Sequence, residues 1–123
     1  MVEGPLSLAA RIHALDSEDM FGHVSRFVDD LEAAFVAIND RTCPWLMDLR
    51  TRTWAGVLCL GMGGSAAGGS FLSSLADRDG TIPVLSHADA ALPSWVTADW
   101  LILATSYSGN TAETLSATRT AIE

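Results

Sequence analysis

The spacing of apolar residues in the first forty positions predicts one amphipathic helix. Apolar side chains recur there every three or four residues, as on one face of a helix. They are Met20, Val24, Phe27, Val28, Leu31, Phe35 and Ile38. The run Asp16-Ser17-Glu18-Asp19 offers cap candidates and acids for a first turn, and Asn39-Asp40-Arg41 offers an end. We therefore expect a helix within residues 16–40 whose apolar face needs a partner surface, after a weakly patterned surface arm over residues 1–15.

Short apolar runs replace the helical pattern in the second half of the chain. Residues 56–60 and 100–104 are continuous apolar runs, which suits strands buried on both faces. A third strand is expected over 82–86, where Pro83 stands near the start and its missing N–H is tolerable. We expect a short apolar or helical piece around Trp45, a helix over 65–76, and another from about 110 to the C-terminus. Strand–helix–strand–strand–helix order predicts an α/β fold with a mainly parallel sheet.

Composition and charge narrow the class of partner. The chain has 123 residues and a net charge of −8, which makes nucleic acid and anionic membranes poor partners. Its apolar runs are far shorter than the ~18 residues of a membrane span. Glu3 stands near the start, and no basic segment precedes a long apolar stretch there, so no signal peptide is expected. The expectation is a soluble cytoplasmic protein.

The reactive side chains exclude several kinds of chemistry. All seven basic residues are arginine, so the chain has no P-loop lysine and no lysine for a Schiff base. Cys43 and Cys59 lie far apart and fit no metal spacing, and Cys59 stands in an apolar run typical of a buried small hydrophobe. His13, His23 and His87 have no carboxylate or nucleophile at a catalytic spacing. We expect no metal, no cofactor and no catalytic residue.

Two loops of small residues carry the candidate chemistry. Gly61-Met62-Gly63-Gly64-Ser65 follows the first predicted strand, and Ser106-Tyr107-Ser108-Gly109-Asn110-Thr111 follows the last. Ligands of parallel α/β sheets bind outside the carboxyl ends of the strands. Glycine lets the backbone approach a ligand, and helix N-termini offer free N–H groups. The pair predicts a phosphate site, built from Gly63, Gly64, Ser65, Ser106, Ser108 and Thr111.

Other interpretations of these loops stay open. The first could be only a tight strand-to-helix turn, and the second only helix capping, since Asn110 and Glu113 have capping-box spacing. The segment Gly61-x-Gly63-x-x-Ala66 also satisfies a loose dinucleotide fingerprint. That fingerprint needs an acid at the end of the second strand, where Ser86 and His87 stand and Asp89 lies slightly beyond. A nucleotide-binding domain is therefore the lower-ranked alternative.

Together the two motifs resemble the sugar isomerase (SIS) domain family, and more narrowly bifunctional phosphoglucose/phosphomannose isomerases. The resemblance rests on Gly61-Met62-Gly63-Gly64-Ser65-Ala66-Ala67-Gly68-Gly69 and on Ser106-Tyr107-Ser108-Gly109-Asn110-Thr111-Ala112-Glu113-Thr114-Leu115. It implies a three-layer α/β/α, flavodoxin-like domain with a parallel sheet, here incomplete: a partial SIS domain over 16–123, with its phosphosugar-binding core over 55–123.

The family also implies roles for individual residues. The hydroxyls of Ser65, Ser106, Ser108 and Thr111 would grip the phosphate, with backbone from Gly63 and Gly64. In the family, a glutamate base and a histidine from a second SIS domain interconvert aldose and ketose phosphates. We do not expect the 123 residues of this chain to include that second domain. Two positions depart from the family pattern, Ser70 where an acid is expected and Ala90 where an aromatic residue is common.

The resemblance therefore separates binding from catalysis. We expect the chain to be the N-terminal piece of a longer isomerase that binds glucose 6-phosphate, mannose 6-phosphate or fructose 6-phosphate but does not turn them over alone. A non-catalytic phosphosugar-binding module or regulator is the open alternative. A short parallel sheet also leaves edges to cover, so we expect self-association, for example as a homodimer.

Overall fold

The computed structural model describes residues 7–123, which form two compact units divided after Thr51. The first six residues of the expected arm, Glu3 among them, lie outside the described part. The N-terminal unit contains helices α1 (Leu8–Leu15), α2 (Met20–Ala37) and α3 (Leu46–Thr51). None of its described residues is buried. This unit therefore has no core of its own within residues 7–51.

Helix α2 is the amphipathic helix that the apolar spacing predicts, shorter at both ends than the expected range 16–40. The Asp16 carboxylate accepts hydrogen bonds from the backbone N–H groups of Met20, at 2.7 Å, and Phe21, at 2.8 Å. This carboxylate thus satisfies two donors that the helix itself cannot pair. The expectation of acids inside the first turn is wrong, because the acidic run stands before the helix.

Two shorter helices flank α2. Helix α3 corresponds to the short piece expected around Trp45. Helix α1 was not predicted, because its one apolar row, Leu8, Ile12 and Leu15, is too short for a period to stand out. Its start is capped by Ser7, whose Oγ accepts from the Ala10 N–H at 3.2 Å.

The second unit confirms the parallel α/β architecture. Its strands are β1 (Gly56–Leu60), β2 (Val84–His87) and β3 (Trp100–Ala104), and its helices are α4 (Ala67–Asp79) and α5 (Ala112–Ile122). Both strand pairs are parallel, and the order is β2-β1-β3. Strand β2 begins two residues later than expected. Pro83 lies just outside it and contributes only a carbonyl, which accepts from the Val57 N–H at 2.9 Å.

Strand β1 is central, and its side chains alternate between two covered faces. Leu58 and Leu60 pack with Ala117 of α5, and all three are at most 2% exposed. Cys59 faces the other way, against α4. There Gly69 approaches so closely that an added Cβ would lie 2.6 Å from the Cβ of Cys59. Helices thus cover opposite faces of the sheet, in the expected three layers.

The strand order places a crevice at one end of the sheet. The chain leaves β1 for β2 on one side and returns to β3 on the other. The gap between the carboxyl ends of β1 and β3 is therefore a topological switch point, where open α/β sheets bind ligands.

Within the described residues, no helix combines the length and apolar character that crossing a membrane requires.

Candidate functional site

The two small-residue loops leave the sheet side by side. The Thr105 N–H donates to the Leu60 carbonyl at 2.8 Å, which extends the β1–β3 pairing one residue past β3. On the other side, the Gly61 N–H donates to the His87 carbonyl at 3.2 Å. These bonds fix the start of both loops, so the loops flank the switch point.

Glycines shape the first loop. A Cβ on Gly61 would lie 2.7 Å from the backbone oxygen of Ser65, so only glycine fits there without displacement. Gly63 has φ +54°, a left-handed conformation that favours glycine. Beyond it a 3-10 turn, Gly63–Ala66, carries Ser65, and α4 begins only at Ala67. The sequence predicted an uninterrupted helix from Ser65, and the tight turn replaces its first two residues.

Ser65 joins the two loops directly. Its Oγ accepts a hydrogen bond from the backbone N–H of Tyr107 at 3.2 Å, across 42 residues of sequence. Ser65 is half-buried in this position. The side chain of one predicted site residue is therefore held against the backbone of the other predicted loop.

The second loop gathers its three predicted hydroxyl groups around Thr111. Its Oγ1 lies 3.2 Å from the Oγ of Ser106 and 3.3 Å from the Oγ of Ser108. Gly109 adopts φ +65° between them, which bends the loop back on itself. Ser106 and Thr111 are half-buried, whereas Ser108 is exposed.

Backbone N–H groups donate hydrogen bonds to the serine hydroxyl oxygens. The Gly109 N–H donates to Ser106 Oγ at 3.1 Å, and the Asn110 N–H donates to Ser108 Oγ at 3.3 Å. Ser65 Oγ accepts from Tyr107 in the same way. A hydroxyl has one proton to donate and lone pairs to accept with. Thr111 has one hydroxyl proton for its two serine neighbours, so Ser106 or Ser108 donates its own proton to Thr111 when both contacts are hydrogen bonds. Ser65 accepts from the backbone outside that cluster, so its proton can point at an acceptor, and this polarity suits an anion.

An open cavity of about 620 Å³ lies between the loops. Its lining is Met62, Gly64, Ser65, Thr105, Ser106 and Tyr107. Three of the predicted site residues, Gly64, Ser65 and Ser106, line the cavity directly. Ser108 and Thr111 contact Ser106 or each other through their hydroxyls, and Gly63 begins the 3-10 turn that carries Ser65. Met62, Thr105 and Tyr107 were not among the predicted site residues. Their signal in the sequence is only their position inside or next to the two motifs.

The structure does not form the capping box that was the alternative interpretation of the second loop. The residue before α5 is Thr111, and its side chain makes no capping hydrogen bond to the helix. Asn110 uses its backbone N–H on Ser108 instead, and Glu113 is exposed in the first turn. The capping-box alternative is therefore wrong: the helix begins one residue later than that spacing requires, and the Thr111 side chain contacts the Ser106 and Ser108 hydroxyls instead.

The residues needed for the dinucleotide alternative are engaged locally. The Asp89 carboxylate accepts from the backbone N–H groups of Ala90, at 2.6 Å, and Ala91, at 3.4 Å. The His87 Nε2 lies 2.7 Å from the Ala91 carbonyl oxygen. Both side chains therefore help to hold the turn after β2, and the Asp89 bonds use only its Oδ1.

Side chains that bind metal ions do not cluster in the described part of the chain. Across residues 7–123, no three His, Cys, Asp or Glu side chains lie close enough together to hold a metal ion. Cys59 is buried as expected, and that burial raises the pKa of its thiol. His13 and His23 belong to the N-terminal unit, and only His87 lies at the carboxyl end of the sheet.

Comparison with known proteins gives partial matches. The chain is 48% identical over 61 residues to the bifunctional phosphoglucose/phosphomannose isomerase of Caldicellulosiruptor bescii, a match that covers 50% of this chain and 18% of that protein. Proteins of the same name match from Aquifex aeolicus, at 45% over 64 residues, and Thermoplasma acidophilum, at 39% over 74 residues. These two cover 51% and 60% of this chain, and 20% and 23% of the relatives.

The chain thus spans less than a quarter of the length of these relatives. No protein-family model matches the chain, and no solved structure matches it.

Proposed function

We propose that residues 55–123 form the phosphate-binding part of a SIS-type phosphoglucose/phosphomannose isomerase. The observation that carries the proposal is the arrangement of hydroxyls at the switch point. Three serines accept from backbone N–H groups, which leaves the Ser65 proton for a phosphate oxygen and lets the Ser106–Ser108–Thr111 hydroxyls turn their protons from one another to a bound phosphate. The similarity to three isomerases of that name supports the sugar phosphate as the ligand class.

The proposed phosphate contacts are the six residues that the sequence singled out. They are Gly63, Gly64, Ser65, Ser106, Ser108 and Thr111. An added Cβ on Gly63 or Gly64 would meet nothing within 4 Å, so the space beside this backbone is open to a ligand. With a chain charge of −8, these local donors must offset an unfavourable overall field.

Binding and catalysis are separate in this proposal. Glu113 stands in the first turn of α5 and His87 ends β2, and no hydrogen bond between the two is seen among residues 7–123. Glu113 is exposed, and His87 lies against the Ala91 carbonyl. We therefore expect the 123-residue chain to bind hexose 6-phosphates without isomerising them.

A ligand panel tests the proposal on the full chain. Titration of fructose 6-phosphate, glucose 6-phosphate and mannose 6-phosphate, followed by amide NMR shifts, should perturb Ser65, Ser106 and Ser108. Unphosphorylated fructose should leave these amides unchanged, because the proposed contacts are to the phosphate. Saturable binding of NAD at the same amides, with no response to the sugar phosphates, would overturn the proposal in favour of the nucleotide alternative.

Turnover is measured in the same samples. Conversion of glucose 6-phosphate to fructose 6-phosphate by the isolated chain would contradict the expected inactivity. Binding without turnover is the expected result.

A further inference from the structure

Tyr107 stands out among the residues of the candidate site. It lies between Ser106 and Ser108 and lines the cavity, yet its side chain is fully exposed, with a relative exposure of 101%. Its backbone is fixed, since its N–H donates to Ser65 Oγ at 3.2 Å. The attachment point of the ring is therefore held beside the proposed phosphate contacts, while the ring itself lies in solvent.

Phosphate binding gives no role to the apolar side chains among the residues that line the cavity. The serine hydroxyls and backbone N–H groups supply the donors that a phosphate uses. Met62 and Tyr107, which also line the cavity, carry a thioether and an aromatic ring, and these groups offer apolar surface instead. A sugar presents C–H groups alongside its hydroxyls, and aromatic rings with a polar tip suit ligands that are apolar on one side and wet on the other.

We propose that Tyr107 is a specificity-determining residue whose ring closes over the carbon chain of a phosphosugar held at Ser65, with Met62 as the apolar wall of the cavity. This inference rests on the proposed function, because it requires the phosphate to bind between the two loops. It adds a contact to the unphosphorylated part of the ligand, which distinguishes a phosphosugar from inorganic phosphate.

The test compares two ligands on the full 123-residue chain. Fructose 6-phosphate and inorganic phosphate are titrated by calorimetry against the wild type, Tyr107→Ala and Tyr107→Phe. Tyr107→Ala should weaken the binding of fructose 6-phosphate about three- to tenfold, which corresponds to the free energy of one aromatic packing contact. Its affinity for inorganic phosphate should stay unchanged, and Tyr107→Phe should retain most of the wild-type affinity for both ligands.

A matched control uses another exposed aromatic residue. Phe71 on α4 is 61% exposed and does not line the cavity. Phe71→Ala should leave both affinities unchanged. Because the Tyr107 side chain is fully exposed, its removal should also leave the thermal transition where it is.

Failure of this inference is distinguishable from failure of the proposed function. If Tyr107→Ala lowers the affinity for both ligands equally, or for neither, the ring does not contact the sugar. The inference is then overturned while phosphosugar binding stands. If the wild type binds inorganic phosphate as tightly as fructose 6-phosphate, the inference is likewise overturned. If the wild type binds neither ligand, the proposed function falls and the inference falls with it.

Discussion

Ser65 and Ser108 contribute to the proposed site from different loops. Each replacement by alanine should weaken phosphosugar binding by about 1.5–3 kcal/mol, because a hydrogen bond to a charged group is lost. That corresponds to roughly a tenfold to hundredfold rise in Kd for fructose 6-phosphate, measured by calorimetry. Ser74→Ala is the matched control, since Ser74 lies on α4 and its Oγ donates to the Ser70 carbonyl at 3.0 Å. Wild-type affinity in both site variants would place the phosphate elsewhere.

Cys59 gives a residue-scale prediction about reactivity. Its burial raises the pKa of the thiol, so the reactive thiolate is scarcer than in an exposed cysteine. Cys43 is only half-buried. We expect iodoacetamide to label Cys43 first in the native chain and Cys59 only after denaturation, as followed by peptide mass spectrometry. Equal labelling of both thiols in the native state would show that β1 opens readily.

At this scale the sequence predicted residue types better than their connections. It placed Ser65, Ser106 and Thr111 in loops that the structure brings to one cavity, because hydroxyls and glycines after buried strands form a local pattern. It did not predict that Ser65 accepts from the backbone of Tyr107. That bond joins residues 42 positions apart, and its donor is a backbone N–H, which every residue except proline has, so no residue type in the sequence indicates it.

At the scale of elements, two neighbouring glycines of α4 should respond oppositely to the same substitution. Gly69 is buried, and an added Cβ would lie 2.6 Å from the Cβ of Cys59. Gly69→Ala should therefore push α4 off β1 and lower stability by about 1–3 kcal/mol. Gly68 has open space where a Cβ would stand, so Gly68→Ala should raise stability by about 0.5–1 kcal/mol.

Thermal unfolding of the two variants measures the difference. Opposite shifts of Tm are expected, with Gly69→Ala below the wild type and Gly68→Ala above it. A Gly69→Ala variant as stable as the wild type would mean that α4 does not pack closely on β1.

The helices and strands were predicted correctly where the hydrophobic period was clear or the apolar run was continuous. Strands β1 and β3 have the predicted bounds, because a five-residue apolar run ends abruptly at Gly61 and Thr105. Helix α1 has too few apolar positions to show a period. The 3-10 turn before α4 accompanies a close approach of Gly61 to the Ser65 backbone, a local packing of the loop that neither the hydrophobic period nor the composition encodes.

At the scale of the whole molecule, exposed apolar surface is the dominant property. Phe27, Val28 and Leu31 of α2 are 54–66% exposed. Among residues 7–123, the sheet has three strands, so the outer edges of β2 and β3 have no paired strand. Large exposed patches and open edges both favour association with other chains. We therefore expect the isolated chain to self-associate.

Light scattering coupled to size exclusion measures this association across a concentration series. Leu31→Glu should reduce the associated fraction, because it places a charge on the apolar face of α2. Glu32→Gln is the control on the adjacent polar position and should not reduce it. A clean monomer at all concentrations, with a sharp thermal transition, would contradict the prediction.

The hydrogen bond between Ser65 and Tyr107 also has a kinetic consequence. The register of β1 and β3 joins Gly56 to Trp100, and we expect both loops to come together only after these strands have paired. Such non-local parallel pairing must close a long loop first, which makes it a slow step of folding. A ligand held by both loops would bind only chains that have completed this step, and would raise the melting temperature with its concentration. The appearance of ligand binding after dilution from denaturant would then time the closing of the sheet.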